Sequence, residues 1–327
     1  MSLLDVSDLS VSFATPDGTV QAVRGVSFGL EAGRTLGIVG ESGSGKSVAA
    51  LSLLGLARGA TVGGRALFAD RDLLSMPEPE LRGIRGARIA MVFQDPLSSL
   101  HPLYTVGWQI EEAIRAHAPV RRAEAHRRAI DLLGTVGIPN ARERVDDYPH
   151  KFSGGMRQRV MIAMALALDP TIVIADEPTT ALDATVQAQI LDLLMRLRRE
   201  LGMALIIITH DLGVVAQLAD EVLVMYAGRV VEVADRHTLY YRAHHPYTLG
   251  LLGSVPSTVG GGRLRPIPGQ PPSPIRLPRG CPFHPRCEYV LDRCRVDEPG
   301  LLPVAGGAGH RSACWLPATR AQRSVAA

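Results

Sequence analysis

The chain has 327 residues, 46% of them hydrophobic, and a formal charge of +3. That length supports one large domain with an appendage, or two modest domains, around a real core. The near-neutral charge argues against a dedicated nucleic-acid binder, and no apolar run approaches the roughly 18 residues of a membrane span.

No basic and apolar leader follows Met1, so export is not expected. Leu9, Val11 and Phe13 alternate as in a half-buried strand, and Pro16-Asp17-Gly18 is a turn signal. Val26, Phe28 and Leu30 alternate again up to Ala32-Gly33. A strand over 36–39 leads into Gly40-Glu41-Ser42-Gly43-Ser44-Gly45-Lys46-Ser47, and 47–56 reads as a helix. Further strands are expected over 61–68 and 88–93. Residues from about 105 to 168 read as helical, and the arginine-rich run 121–128 is best explained as a solvated helix face. The apolar run Ile172-Val173-Ile174-Ala175 ends on Asp176-Glu177. Val186, Ile190, Leu193, Leu194 and Leu197 then mark one face of an amphipathic helix. A strand over 204–209, then His210, a short helix and a strand over 221–225 complete the pattern. Strands alternating with helices predict an α/β fold with a mostly parallel, doubly covered sheet, and roughly the first 90 residues look more antiparallel.

Composition changes near residue 253. Seven prolines fall between Val255 and Gly280, which predicts an irregular, extended segment. All four cysteines follow, at Cys281, Cys287, Cys294 and Cys314. No internal repeat is apparent.

The 40–47 run fits G-x-x-x-x-G-K-[ST] with a strand before and a helix after. In such a loop backbone N–H groups and the helix start cradle phosphates, Lys46 reaches the β- and γ-phosphates, and Ser47 binds magnesium. Of the 35 basic residues only Lys46 and Lys151 are lysine. A compact ammonium fits between phosphates where an arginine fork would crowd the loop, so Lys46 reads as a position that resists the chain's arginine habit. Asp176, at a strand end, is placed to hold the magnesium, and Glu177 is the candidate base for an attacking water. In Phe152-Ser153-Gly154-Gly155-Met156-Arg157-Gln158-Arg159, Ser153 lies 23 positions before Asp176. Its Ser-Gly-Gly turn opens a helix and forms a second anion-binding start. That start cannot fold back onto its own phosphate loop, so its natural target is nucleotide held by another copy.

These ordered motifs, over about residues 5–252, resemble the ATP-binding cassette (ABC) family. The resemblance implies a P-loop NTPase fold with a RecA-like parallel sheet, an antiparallel β subdomain and a helical subdomain over about 100–168. It implies that ATP is sandwiched between two cassettes and that its γ-phosphate is hydrolysed in line. Gln94 resembles the family's glutamine loop, which touches magnesium and water, and His210 resembles the switch histidine at the γ-phosphate. Ala181-Leu182-Asp183 resembles the loop that communicates across the dimer, and Phe13 occupies the place of an adenine-stacking aromatic, more often Tyr in the family. Ser153, Gly154 and Gly155 match the signature that contacts the partner's nucleotide.

The signature variant, the 94–102 run, His245-Pro246-Tyr247-Thr248-Leu249-Gly250-Leu251-Leu252 and the cysteine-bearing tail (253–327) together resemble ATP-binding subunits of bacterial dipeptide and oligopeptide importers. Nickel importers of the same subfamily share them. The resemblance implies a peripheral subunit on the cytoplasmic face of the inner membrane. It would sit beneath two membrane-spanning permeases, beside a second and often non-identical cassette, with an extracytoplasmic solute-binding protein supplying cargo. For the cysteines, metal binding is favoured over disulfides in a cytosolic setting, and the absence of C-x2-C pairs weakens a zinc ribbon. An iron–sulfur cluster, zinc and unmetallated thiols all remain open, with His284 and His310 as bystanders; related tails carry a cluster, of the 4Fe–4S type by resemblance. Rival readings are a soluble ABC ATPase acting on DNA or ribosomes, or a non-catalytic cassette. The first normally needs a fused second cassette or a coiled coil. The second would be expected to lose Lys46, Glu177 or His210.

Overall fold

The computed structural model describes residues 2–254, 266–307 and 309–317. The chain opens with two long strands, β1 (Ser2–Thr15) and β2 (Gly18–Glu31), joined at the predicted turn, and then the short buried β3 (Thr35–Val39). Helix α1 (Lys46–Leu53) is shorter than its sequence suggests. Gly55 at φ +62° turns the chain, and Leu56 N–H reaches back to Leu51 O at 2.8 Å, a glycine-assisted helix stop. β4 (Ala60–Phe68), β5 (Arg71–Asp72), α2 (Glu78–Ile84), β6 (Ile89–Val92) and α3 (Pro96–Ser99) follow. The predicted helical region holds α4 (Val106–Arg115), α5 (Arg122–Thr135), α6 (Ala141–Arg144) and α7 (Gly154–Ala165). β7 (Ile172–Asp176), α8 (Ala184–Leu201), β8 (Ala204–Thr209), α9 (Leu212–Leu218) and β9 (Glu221–Tyr226) match the expected alternation. Beyond them lie β10 (Arg229–Asp235), α10 (Arg236–Arg242), α11 (Pro246–Gly253), β11 (Leu302–Pro303) and β12 (Arg311–Ser312).

Two compact units divide the chain. One comprises Glu31–Arg34 and Met76–Ile208. In it β6, β7 and β8 run parallel, with Ile89 opposite Ile172 and Ile172 opposite Ala204. Every residue of β7 and β8 is buried, as expected for parallel strands covered on both faces. Helix α8 buries Ile190, Leu191, Leu193, Leu194 and Leu197, the predicted stripe with Leu191 added. Val186, on the same predicted face, is half-buried. The arginines of α5 face outward, where Arg128 pairs with Glu124 one turn earlier.

The other unit comprises Ser2–Leu30, Thr35–Ser75 and the chain from Thr209. Within its first 75 residues, β1, β2, β4 and β5 form an antiparallel sheet, ordered β2-β1-β4-β5. Its second group of strands runs β3-β9-β10-β12-β11, with β3 parallel to β9 and the rest antiparallel. The cysteine-bearing tail is therefore not only irregular: β12 pairs with β10, Glu232 opposite Ser312. A two-residue strand carries no periodicity to read in advance. Part of the proline-rich segment, 255–265, lies outside the described residues. From 266 to the short 3-10 turn His284–Arg286 no regular element forms, as prolines without N–H donors dictate. The core of this unit joins Val39, Val215, Val224, Tyr226, Tyr247 and the tail's Phe283.

Candidate nucleotide site

In the second unit, fully buried β3 delivers the chain into the phosphate loop, and glycines let the loop close. A Cβ on Gly40 would stand 2.2 Å from Met225 O, and one on Gly45 2.2 Å from Ala22 O. Gly45 also lies at φ +100° and begins α1, so its N–H direction is set by a conformation that L side chains rarely take. Lys46, 5% exposed, folds back over the loop. Its Nζ donates to Gly40 O at 2.7 Å, Glu41 O at 2.9 Å and Ser44 Oγ at 3.3 Å. The ammonium is thus held on loop oxygens, which is where phosphate oxygens would exchange for them. Ser44 is buried and its carbonyl accepts from Gly228 N–H at 3.1 Å. Ser42 and Gly43 border a cleft also lined by Gln21 and Pro271. Ser47 is the second residue of α1. Phe13 sits on β1 opposite Ala60, half-buried. His210 is exposed at the end of β8, just ahead of Asp211, which caps α9.

In the first unit, β7 ends on the buried Asp176 carboxylate. Glu177 follows at φ +45°, an uncommon and costly backbone state for a residue with a side chain. Three bonds hold it there. Its N–H donates to Ile208 O at 2.8 Å, and its Oε2 accepts from Gln94 Nε2 at 3.0 Å and Thr180 Oγ1 at 2.8 Å. The predicted base and the predicted glutamine are therefore in direct contact, and Thr180 is a partner that sequence reading missed. A threonine three residues beyond an acid at the end of a strand was the available signal.

Ser153 caps α7, its Oγ accepting from Met156 N–H at 3.4 Å. The cap leaves Ser153 and Gly154 exposed. A Cβ on Gly155 would meet Val186 Cγ1 at 2.5 Å, so the second glycine is required by the close approach of α8. Asp183 caps α8, Oδ1 accepting from Val186 N–H at 2.9 Å. The signature turn and the Asp183 turn therefore meet around Val186.

All four cysteines line one cavity, with His245, Phe283 and Tyr289 among its other walls. All are free thiols. Burial, with neighbouring thiols adding to it, pushes Cys281 up to about 11 and Cys314 up to about 12, and raises Cys287 as well. Among the described residues, no group of three or more His, Cys, Asp or Glu side chains is arranged to hold a single metal ion. Neither the zinc nor the iron–sulfur reading thus has an assembled ligand set among the described residues. His310 forms a structural tie: its Nε2 lies 2.7 Å from Glu232 Oε1, both buried.

Residues 23–180 match the ABC transporter family, and residues 231–294 match the C-terminal region of oligopeptide/dipeptide transporters. The oligopeptide transport ATP-binding protein OppD of Salmonella typhimurium is 52% identical over 317 residues, covering 96% of this chain and 94% of that protein. This chain is an ABC transporter ATP-binding protein. The dipeptide transport ATP-binding protein DppD of Bacillus subtilis is 50% identical over 99% of the chain and 97% of its own length. A solved dimeric ATP-binding cassette in a post-hydrolysis state, bound to ADP and phosphate, superposes with a TM-score of 0.64 at 28% identity, covering 71% of this chain and 98% of that one. The cassette fold and ATP hydrolysis follow from this membership. No helix among the described residues is long and apolar enough to cross a membrane.

Proposed function

We propose that this chain is the ATP-hydrolysing subunit of a bacterial importer for dipeptides or oligopeptides. It works on the cytoplasmic face of the inner membrane, beneath two permeases, with a second, non-identical cassette and an extracytoplasmic solute-binding protein. The observation that carries the cargo class is the 231–294 match, because the phosphate loop and the acids are indifferent to cargo. A cassette over 1–252 and an extension over 253–327 are the working parts.

In this reading Gly40 to Ser47 cradle the phosphates, with Lys46 leaving its loop carbonyls for the β- and γ-phosphates, and Phe13 stacks on adenine. Ser47, Gln94 and Asp176 offer hard oxygen donors that suit magnesium, which neutralises phosphate charge when bound. Glu177 takes the proton of the attacking water, with Gln94 and Thr180 aiming its carboxylate, and His210 contacts the γ-phosphate. Ser153, Gly154 and Gly155 close on nucleotide held by the partner cassette, and Asp183 lies at the same contact.

The four cysteines hold an iron–sulfur cluster. A single ion needs its sulfurs within about 2.3 Å of one point, whereas a cubane cluster gives each thiolate its own iron and so spreads them around a cavity. What supports this reading is that all four thiols line one cavity. Protein purified without oxygen should be brown, with about four irons per chain. Colourless protein with stoichiometric zinc would contradict it.

The test of cargo is reconstitution with the permeases, partner cassette and binding protein in vesicles. Labelled dipeptides or oligopeptides should enter only with ATP. Nickel uptake with no peptide uptake would favour the nickel branch of the same subfamily.

A further inference from the structure

Glu41, the first variable residue of the phosphate loop, is bonded at three points. Its carbonyl accepts from Lys46 Nζ at 2.9 Å, and its N–H donates to Tyr247 Oη at 2.7 Å. Its carboxylate is gripped by Arg286, Nη1 to Oε2 at 2.7 Å and Nη2 to Oε1 at 2.9 Å. Arg286 stands 245 positions away, inside the segment framed by Cys281 and Cys287. Its side chain is 5% exposed. It also donates Nε to Pro268 O at 2.8 Å and Nη1 to Tyr226 Oη at 3.4 Å. A buried, two-pronged pair of this kind fixes orientation as well as charge, and only a guanidinium can make it. Tyr226, Tyr247 and Phe283 pack their rings around the same spot, at centroid distances of 4.6 to 5.5 Å.

We propose that Arg286 is a positioning residue for ATP binding: it fixes Glu41, and with it the carbonyl that holds Lys46, so that the fold of the Cys281–Cys287 loop sets the chain's ATP affinity. The proposal rests on residues 40–47 being the ATP site. A second ion pair of the tail provides the contrast. Glu298 joins Arg24 at 2.8 Å and Arg229 at 3.1 Å, outside the phosphate loop. It ties the tail down without touching Glu41.

The experiment is titration of the full chain with a fluorescent ATP analogue, alongside its melting temperature without nucleotide. Arg286→Met and Glu41→Gln should each raise Kd about tenfold, the worth of a charge-assisted bond, and Arg286→Lys should fall between them and wild type. The Arg286→Met/Glu41→Gln double variant should be no worse than the weaker single, because both remove one coupling. Glu298→Gln should leave Kd within about twofold even where it lowers the melting temperature. If Arg286→Met fails to fold, Glu41→Gln decides, since it leaves the tail sequence intact. Unchanged Kd in Glu41→Gln, additive losses in the double variant, or an equal loss in Glu298→Gln would overturn the proposal. Lys46→Ala is the control for the ATP site itself. If Lys46→Ala binds normally, the placement of ATP fails, whatever Arg286 does.

Discussion

The phosphate loop and the acid turn solve the same problem, an exposed polar turn at the end of a buried strand, by opposite means. After β3 the turn is closed by Gly40 and Gly45, where backbone oxygens stand in the place of a Cβ, and its Lys46 ammonium is satisfied by the loop's own oxygens. After β7 the turn is made by a glutamate forced to φ +45° and held by Gln94 and Thr180 from outside. The first is shaped by what is absent from the side chains, the second by what the side chains reach. In the proposed function, binding thus depends on backbone shape, and chemistry on the aim of one carboxylate.

That contrast breaks most sharply at Lys46. Lys46→Ala should weaken ATP binding on the order of 100-fold, since two charge-assisted contacts to phosphate are lost. The same titration on Thr180→Val should change Kd little.

The backing of the phosphate loop should also respond to acid. His245 caps α11, its Nδ1 accepting from Tyr247 N–H at 3.1 Å, and Tyr247 in turn holds Glu41. Burial, opposed by the Glu232 charge and reinforced by His244, pushes the His245 imidazole down to about 4 from an ordinary 6.5. Glu232, His244, the Ala313 backbone and the Phe283 ring act on it. Between pH 6.5 and 4 the unfolded chain binds the proton and the folded chain does not. The associated stability is therefore full above pH 6.5 and is lost as pH falls toward 4, on the order of 3 kcal/mol. Denaturant melts across that window should show the loss, and His245→Asn, which caps without titrating there, should flatten it.

A smaller effect separates two glycines of one loop. Gly45→Ala brings Cβ onto Ala22 O and should cost about 2 to 4 kcal/mol, while Gly43→Ala, at φ +79° in open space, should cost about 1 kcal/mol. Equal melting temperatures for the two would mean that close backbone approach is not what fixes the loop.

How much of this could be read from the sequence follows from the same physics. The 40–47 loop was legible because its chemistry needs consecutive residues, and Asp176 was legible because four apolar neighbours announce its strand. The contact of Glu177 with Gln94 was expected only as a shared role; the signal for its partner Thr180, a threonine three residues beyond an acid at a strand end, is weak. Arg286 was invisible as a partner of Glu41, since no local pattern reports a pairing across 245 positions. The cysteines were conspicuous by composition, but their common cavity depends on 3-10 turns at 284–286 and 292–295 and on β12, elements too short to show a period.

The most direct test of the account is ATP turnover in the reconstituted transporter with Glu177→Gln. The account predicts that magnesium and ATP bind as in wild type while hydrolysis slows by roughly 100- to 10,000-fold, the worth of a positioned base, leaving ATP trapped in the closed cassette pair. Near-normal turnover with Glu177→Gln would contradict it.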